Sequence, residues 1–136
     1  MSGKPLGWKD ATIVVIDDDA GIRDSLADLL ALENWKCVST DTGKKGLDLV
    51  DDLKPQLVVT DVQLPDISGY QLCQEMKRDP SSKNIPVVMI TGRFTEPADK
   101  VQGLESGADE FLTKPFDPFL FVARIKSILR SAPQAA

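Results

Sequence analysis

Four short runs of apolar, largely β-branched residues each break off at a polar side chain, and that pattern limits the fold more than any other feature of the chain. Ala11-Thr-Ile-Val-Val-Ile16 runs into Asp17-Asp18-Asp19, and Leu57-Val-Val-Thr60 into Asp61. Pro86-Val-Val-Met-Ile90 runs into Thr91-Gly92, and Glu110-Phe-Leu-Thr113 into Lys114-Pro115. Near-continuous apolarity over so short a span fits a strand buried on both faces, the signature of a parallel sheet covered on both sides. Trp35 to Thr40 reads as a fifth, less apolar strand.

Between these runs the apolar period lengthens to that of a helix. Ile22, Leu26, Leu29 and Leu30 predict an amphipathic helix over 20–33, and Leu47, Leu49, Val50 and Leu53 predict one over 43–53, stopped ahead of Pro55. Leu72, Cys73 and Met76 stripe a helix that begins after Gly69. A fourth helix spans 97–106, with Pro97 in its first turn and Gly107 ending it. Asp117-Pro118 caps the last helix, with Phe121, Val122, Ile125, Ile128 and Leu129 facing inward. Five strand–helix alternations in 136 residues amount to one α/β domain over 11–130. It is preceded by a loose lead-in, 1–10, with Trp8 against the domain edge, and followed by a polar tail, 131–136, that fits the start of a linker.

Charge and composition exclude several functions. Sixteen Lys and Arg against 21 Asp and Glu give a net charge of −5, which argues against nucleic acid or an anionic membrane as a direct partner of this domain. The chain has no histidine, so histidine triads, histidine-ligated metals and histidine pH switches are ruled out. Cys37 and Cys73 lie among apolar neighbours and read as free thiols. Without an apolar leader core near Met1 or a run long enough to span a bilayer, the sequence reads as cytoplasmic.

The chemistry gathers where the strands stop. Asp17, Asp18, Asp61, Thr91 and Lys114 all follow the C-terminal ends of strands, the edge at which open α/β sheets bind ligands. Singly each has a plain structural role: a strand-end aspartate such as Asp19 caps a helix, Thr91 serves a turn, Lys114 is a solvated charge. Brought together, three carboxylates about 5 Å apart repel by roughly 3 kcal/mol per pair at an effective dielectric near 20, and so call for a cation. Hard oxygen ligands favour Mg²⁺, while Thr91 and Lys114 offer donors to the oxygens of a phosphoryl group.

These residues resemble the receiver domain of two-component response regulators. The resemblance is carried by Ile16-Asp17-Asp18-Asp19 with Arg23, by Thr60-Asp61-Val-Gln-Leu-Pro65-Asp-Ile-Ser-Gly69, by Ile90-Thr91-Gly92, and by Gly107-Ala-Asp-Glu110-Phe-Leu-Thr-Lys114-Pro115-Phe116. It implies a flavodoxin-like, doubly wound five-stranded parallel sheet of order 2-1-3-4-5 with helices on both faces. It makes Asp61 the phosphoacceptor for a histidine kinase or phosphotransfer protein, and a switch, not an enzyme acting on external substrates. Mg²⁺ would be held by Asp17, Asp18, Asp61 and the backbone carbonyl of Gln63. Thr91 and Phe111 would be the switch pair, Lys114 the lysine that pairs with the phosphoryl group, and Lys114-Pro115 a cis peptide. Gln63 and Arg93 would influence how fast the phosphoryl group is lost.

Within the family, the last two helices and strand are similar to receivers that dimerise through that face, where Glu110 and Arg124 would pair across a two-fold axis. Leu120 stands where an acidic partner for Lys100 is expected, which puts that homodimer in question and leaves Phe116, Phe119, Leu120 and Phe121 as a candidate apolar patch. Two other readings compete: a haloacid-dehalogenase-type phosphohydrolase opening on Asp17-Asp18-Asp19, which fails on the order of its later motifs, and a receiver fold serving only as a binding module.

Overall fold

The computed structural model describes residues 7–92 and 97–131, with side chains from residues 9–92 and 101–131. Five strands, β1 (Thr12–Ile16), β2 (Lys36–Thr40), β3 (Leu57–Asp61), β4 (Val87–Thr91) and β5 (Glu110–Thr113), form one parallel sheet of order β2-β1-β3-β4-β5. Helices α1 (Ala20–Ala31), α2 (Gly43–Leu53), α3 (Gly69–Arg78), α4 (Pro97–Glu105) and α5 (Pro118–Ser131) follow them in turn. The doubly wound fold implied by the sequence is therefore the fold observed.

Alternation along the strands divides the core in two. Ile13, Val15, Leu57, Val59, Val88 and Ile90 face α1 and α5, where Leu26, Leu30, Phe121, Ile125 and Leu129 meet them. Val14, Ile16, Val58, Val87, Met89 and Phe111 face the other helices, against Val50, Leu72, Cys73 and Met76. Central β3 and β4 are buried along their whole length, and β2 is only half-buried because it is a sheet edge. Cys37 packs against the first core and Cys73 lies within the second, so the sheet separates the two free thiols. Burial pushes both thiols up from their ordinary range.

Element ends differ from the sequence reading where the main chain finds other partners. α1 stops at Ala31, because Leu32 closes the last turn and Asn34 adopts φ 62°, leaving the Trp35 N–H to donate to the Leu30 carbonyl at 3.2 Å. β3 and β4 each run one residue further, taking Asp61 and Thr91 into the ladder. The lead-in is not wholly loose: Gly7–Asp10 forms a turn of 3₁₀ helix. Asp117 caps α5 by accepting from the Phe119 N–H at 2.8 Å, and Phe121 lies fully buried with Phe116 beside it, ring centroids 5.1 Å apart. Phe119 and Leu120 face solvent, so the four-residue patch is split between core and surface. Residues 1–6, Arg93 and the tail from 132 onward lie outside the described residues, as do the side chains of Trp8 and Lys100. No described helix is long and apolar enough to cross a membrane.

Candidate phosphoryl and metal site

Parallel registration brings the polar strand ends together at one edge. Asp17 follows β1 with its side chain buried; its N–H donates to the Thr40 carbonyl at 3.1 Å and so ties β1 to the end of β2. Its Oδ1 accepts from the Asp19 N–H at 2.9 Å, while Arg23 Nη1 donates to its carbonyl at 2.7 Å. Asp61 ends β3, where its Oδ1 accepts from the Gln63 N–H at 3.2 Å. Asp18 stands exposed at the mouth. Carboxylate oxygens of Asp17, Asp18 and Asp61 all lie within 4.8 Å of one another.

Lys114 reaches into this cluster from the end of β5. Its Nζ lies 3.1 Å from Asp17 Oδ2 and 3.5 Å from Asp61 Oδ2. Its N–H donates to the Thr91 carbonyl at 2.7 Å, which locks the end of β5 to that of β4 just before the cis Lys114-Pro115 bond. Thr91 is itself buried. All five strand-end residues thus occupy the same rim, with Gln63 in the loop directly beyond Asp61.

Three carboxylates against one ammonium leave a formal charge of −2. Burial pushes the Asp61 carboxyl above its ordinary range; the Gln63 N–H and Lys114 pull it down, Asp17 pushes it further up, and the balance stays upward. Burial would lower Lys114, yet its hydrogen bond to Asp17 and the charge of Asp61 hold it above its ordinary value. This all-oxygen, doubly negative donor set suits a hard divalent cation that keeps part of its water shell, so the residues fit Mg²⁺.

Local packing makes the rim compact. A Cβ on Gly69 would collide with the Asp61 carbonyl oxygen, so only glycine lets the start of α3 close against the end of β3. Phe111 is buried beside Met89, in a slot that exists because Gly103 of α4 has no side chain. Arg124 Nε lies 3.4 Å from Glu110 Oε2 within the chain.

One residue of the Thr60–Gly69 stretch has no role assigned to it by the sequence. Asp66, in the β3–α3 loop, accepts from the N–H groups of Gly43 and Lys44 at 2.8 Å each. Desolvation would raise its carboxyl, but these backbone donors outweigh it and lower the carboxyl to about 2. Its partners lie 22 and 23 positions away and are main-chain amides, which no motif records.

The model for the response regulator receiver domain family matches residues 13–126. The chain belongs to that family, a class of phosphorylation-controlled switches distinct from classical enzymes. It is similar to the phosphate regulon transcriptional regulatory protein PhoB of Pseudomonas aeruginosa, at 40% identity over 119 residues, covering 88% of this chain and 52% of that protein. It is also similar to the DNA-binding dual master transcriptional regulator RpaA of Synechocystis, at 39% identity, covering 91% of this chain and 52% of that one. The chain therefore spans about half the length of these relatives. Among solved structures, a response regulator from Chloroflexus aurantiacus superposes with a TM-score of 0.84 at 31% identity, covering 89% of this chain and 98% of that one. The BeF3-activated DrrB receiver domain gives 0.79 at 32%, with 89% and 98% covered.

Proposed function

We propose that Asp61 accepts a phosphoryl group from a histidine kinase or phosphotransfer protein, with Mg²⁺ held by Asp17, Asp18, Asp61 and the backbone carbonyl of Gln63. The observation that carries this reading is the doubly negative cluster, in which Lys114 bridges the two inner carboxylates. Held there, Mg²⁺ would supply charge neutralisation to the oxygens of the incoming group. An Asp61 oxygen attacks phosphorus; the O–P bond forms as the P–N bond to the donor imidazole breaks, and its electron pair stays on that nitrogen. Lys114, released from Asp61 Oδ2, pairs with a phosphoryl oxygen, and the Thr91 hydroxyl donates to another. Later attack of water on phosphorus returns Asp61 and inorganic phosphate, the one turnover this domain performs.

The domain over 11–130 is the unit that switches. Thr91 drawn toward the phosphoryl group and Phe111 in its slot against α4 couple the site to the α4–β5–α5 face, which engages an output domain, a partner or a second copy. The DNA-contacting role of full regulators lies outside this acidic domain. Intact mass spectrometry tests the reading: with Mg²⁺ and a small-molecule phosphodonor the chain gains one phosphoryl mass, and Asp61→Ala gains none. Unchanged mass in the wild-type chain, or the same gain in the variant, contradicts it.

A further inference from the structure

A ring of hydrogen bonds and short chain segments passes through the acidic cluster. The Asp17 N–H donates to Thr40, and Thr40 leads through Asp41 and Thr42 into α2. The first two amides of α2, Gly43 and Lys44, donate to Asp66, which lies three residues beyond Gln63. The Gln63 N–H donates to Asp61 Oδ1 at 3.2 Å, and Lys114 closes the circuit between Asp61 and Asp17.

Asp66 is where this ring crosses from the β3–α3 loop to α2. The inner end of that loop is pinned by the Val62 N–H on the Ile90 carbonyl at 3.1 Å and by the Gly69 N–H on the Val62 carbonyl at 2.8 Å. Its outer part is held by Asp66 and by Ile67, which lies against α2 where Gly43 has no side chain. The opening amides of α2 are fully accounted for: two go to Asp66, Lys45 donates to the Thr42 side chain at 3.2 Å, and Gly46 donates to the Thr42 carbonyl at 3.0 Å. Thr42 caps the helix from its own chain segment, whereas Asp66 caps the same helix from the loop that carries Gln63.

We infer that Asp66 is a positioning residue for the metal-binding loop: anchored on α2 by two charge-assisted hydrogen bonds, it holds Gln63 where its carbonyl and N–H serve the cation and Asp61. The inference rests on the proposed Mg²⁺ site. It goes beyond a capping role, because capping alone makes Asp66 and Thr42 equivalent.

The two roles separate in a paired measurement on the full chain. Mg²⁺ binding is followed calorimetrically with MgCl₂, and hydrogen exchange of the Gln63 amide is followed without metal. Asp66→Ala raises the Mg²⁺ dissociation constant about tenfold, in the range found when groups that orient metal ligands are removed, and speeds Gln63 exchange. Thr42→Ala shifts either quantity less than twofold, although it weakens the same helix end. Asp66→Asn, whose amide retains one acceptor oxygen, falls between wild type and alanine and decides the matter if the alanine variant does not fold. Equal shifts in the Asp66 and Thr42 variants, or no shift in the Asp66 variants, overturn the positioning role while leaving the metal site standing. Wild-type protein that binds no Mg²⁺, or Asp18→Asn that binds as wild type does, overturns the metal site and the positioning role together.

Discussion

The two edges of the sheet use the same side chains, lysine and aspartate, to opposite effect. At the N-terminal edge Lys77 of α3 donates to the carbonyls of Ile85 and Lys83 at 2.8 and 3.3 Å and lies 3.7 Å from Asp109. Asp109 accepts from the Val87 N–H at 2.9 Å, and its own N–H donates to the Val87 carbonyl at 2.8 Å. One cation meets one anion there, and the remaining capacity of both goes to main chain. At the C-terminal edge one lysine faces three carboxylates, which leaves a surplus of two negative charges among these four described side chains, while the nearby Arg23 guanidinium is held on the Asp17 carbonyl. The balanced edge is a clasp, and the unbalanced edge, on the proposed reading, is a binding site whose like charges burden the fold until a cation arrives.

Substitutions at the two edges accordingly move different observables. The largest effect is on metal binding: Asp18→Asn removes one exposed carboxylate from the cluster and weakens Mg²⁺ about 100-fold by calorimetry, with little change in the urea midpoint. At the clasp, Asp109→Ala strands the buried Val87 N–H and costs about 2 kcal/mol in urea unfolding, while Mg²⁺ affinity stays as in wild type. Should Asp109→Ala change affinity as much as stability, the two edges are not independent.

The smallest effect has the opposite sign. Burial raises the Asp61 carboxyl, with Asp17 adding to the rise, so ionising it opposes folding. In metal-free buffer its contribution favours the fold at low pH and is lost as pH rises through the folded-state value. Asp61→Asn therefore raises metal-free stability at neutral pH by about 1 kcal/mol. A lower urea midpoint in that variant contradicts the view of this edge as strained. Asp66 behaves in the reverse sense: with its carboxyl held near 2, its contribution is complete above the ordinary aspartate range and disappears as pH falls through about 2.

What the sequence reveals follows the range over which the responsible forces act. Strand and helix periods are local, so the five alternations are legible, and α2 and β5 have the boundaries that their apolar stripes and flanking residues predict. The strand-end residues are legible because parallel strands place successive C-terminal tips on one edge. Strand ends shift by a residue where a neighbour's ladder takes in Asp61 or Thr91. Asp66 and Lys77 stay hidden, because each serves backbone groups of another element and any residue could supply those groups.

Locating the phosphoryl group tests the central claim most directly. After incubation with Mg²⁺ and a small-molecule phosphodonor, borohydride reduces an aspartyl phosphate to homoserine, and peptide mass mapping then reads its position. Homoserine at position 61, with Asp17 and Asp18 unchanged, is the predicted result. Homoserine at either of those two positions, or at none, contradicts the assignment of Asp61 as the phosphoacceptor at the unbalanced edge.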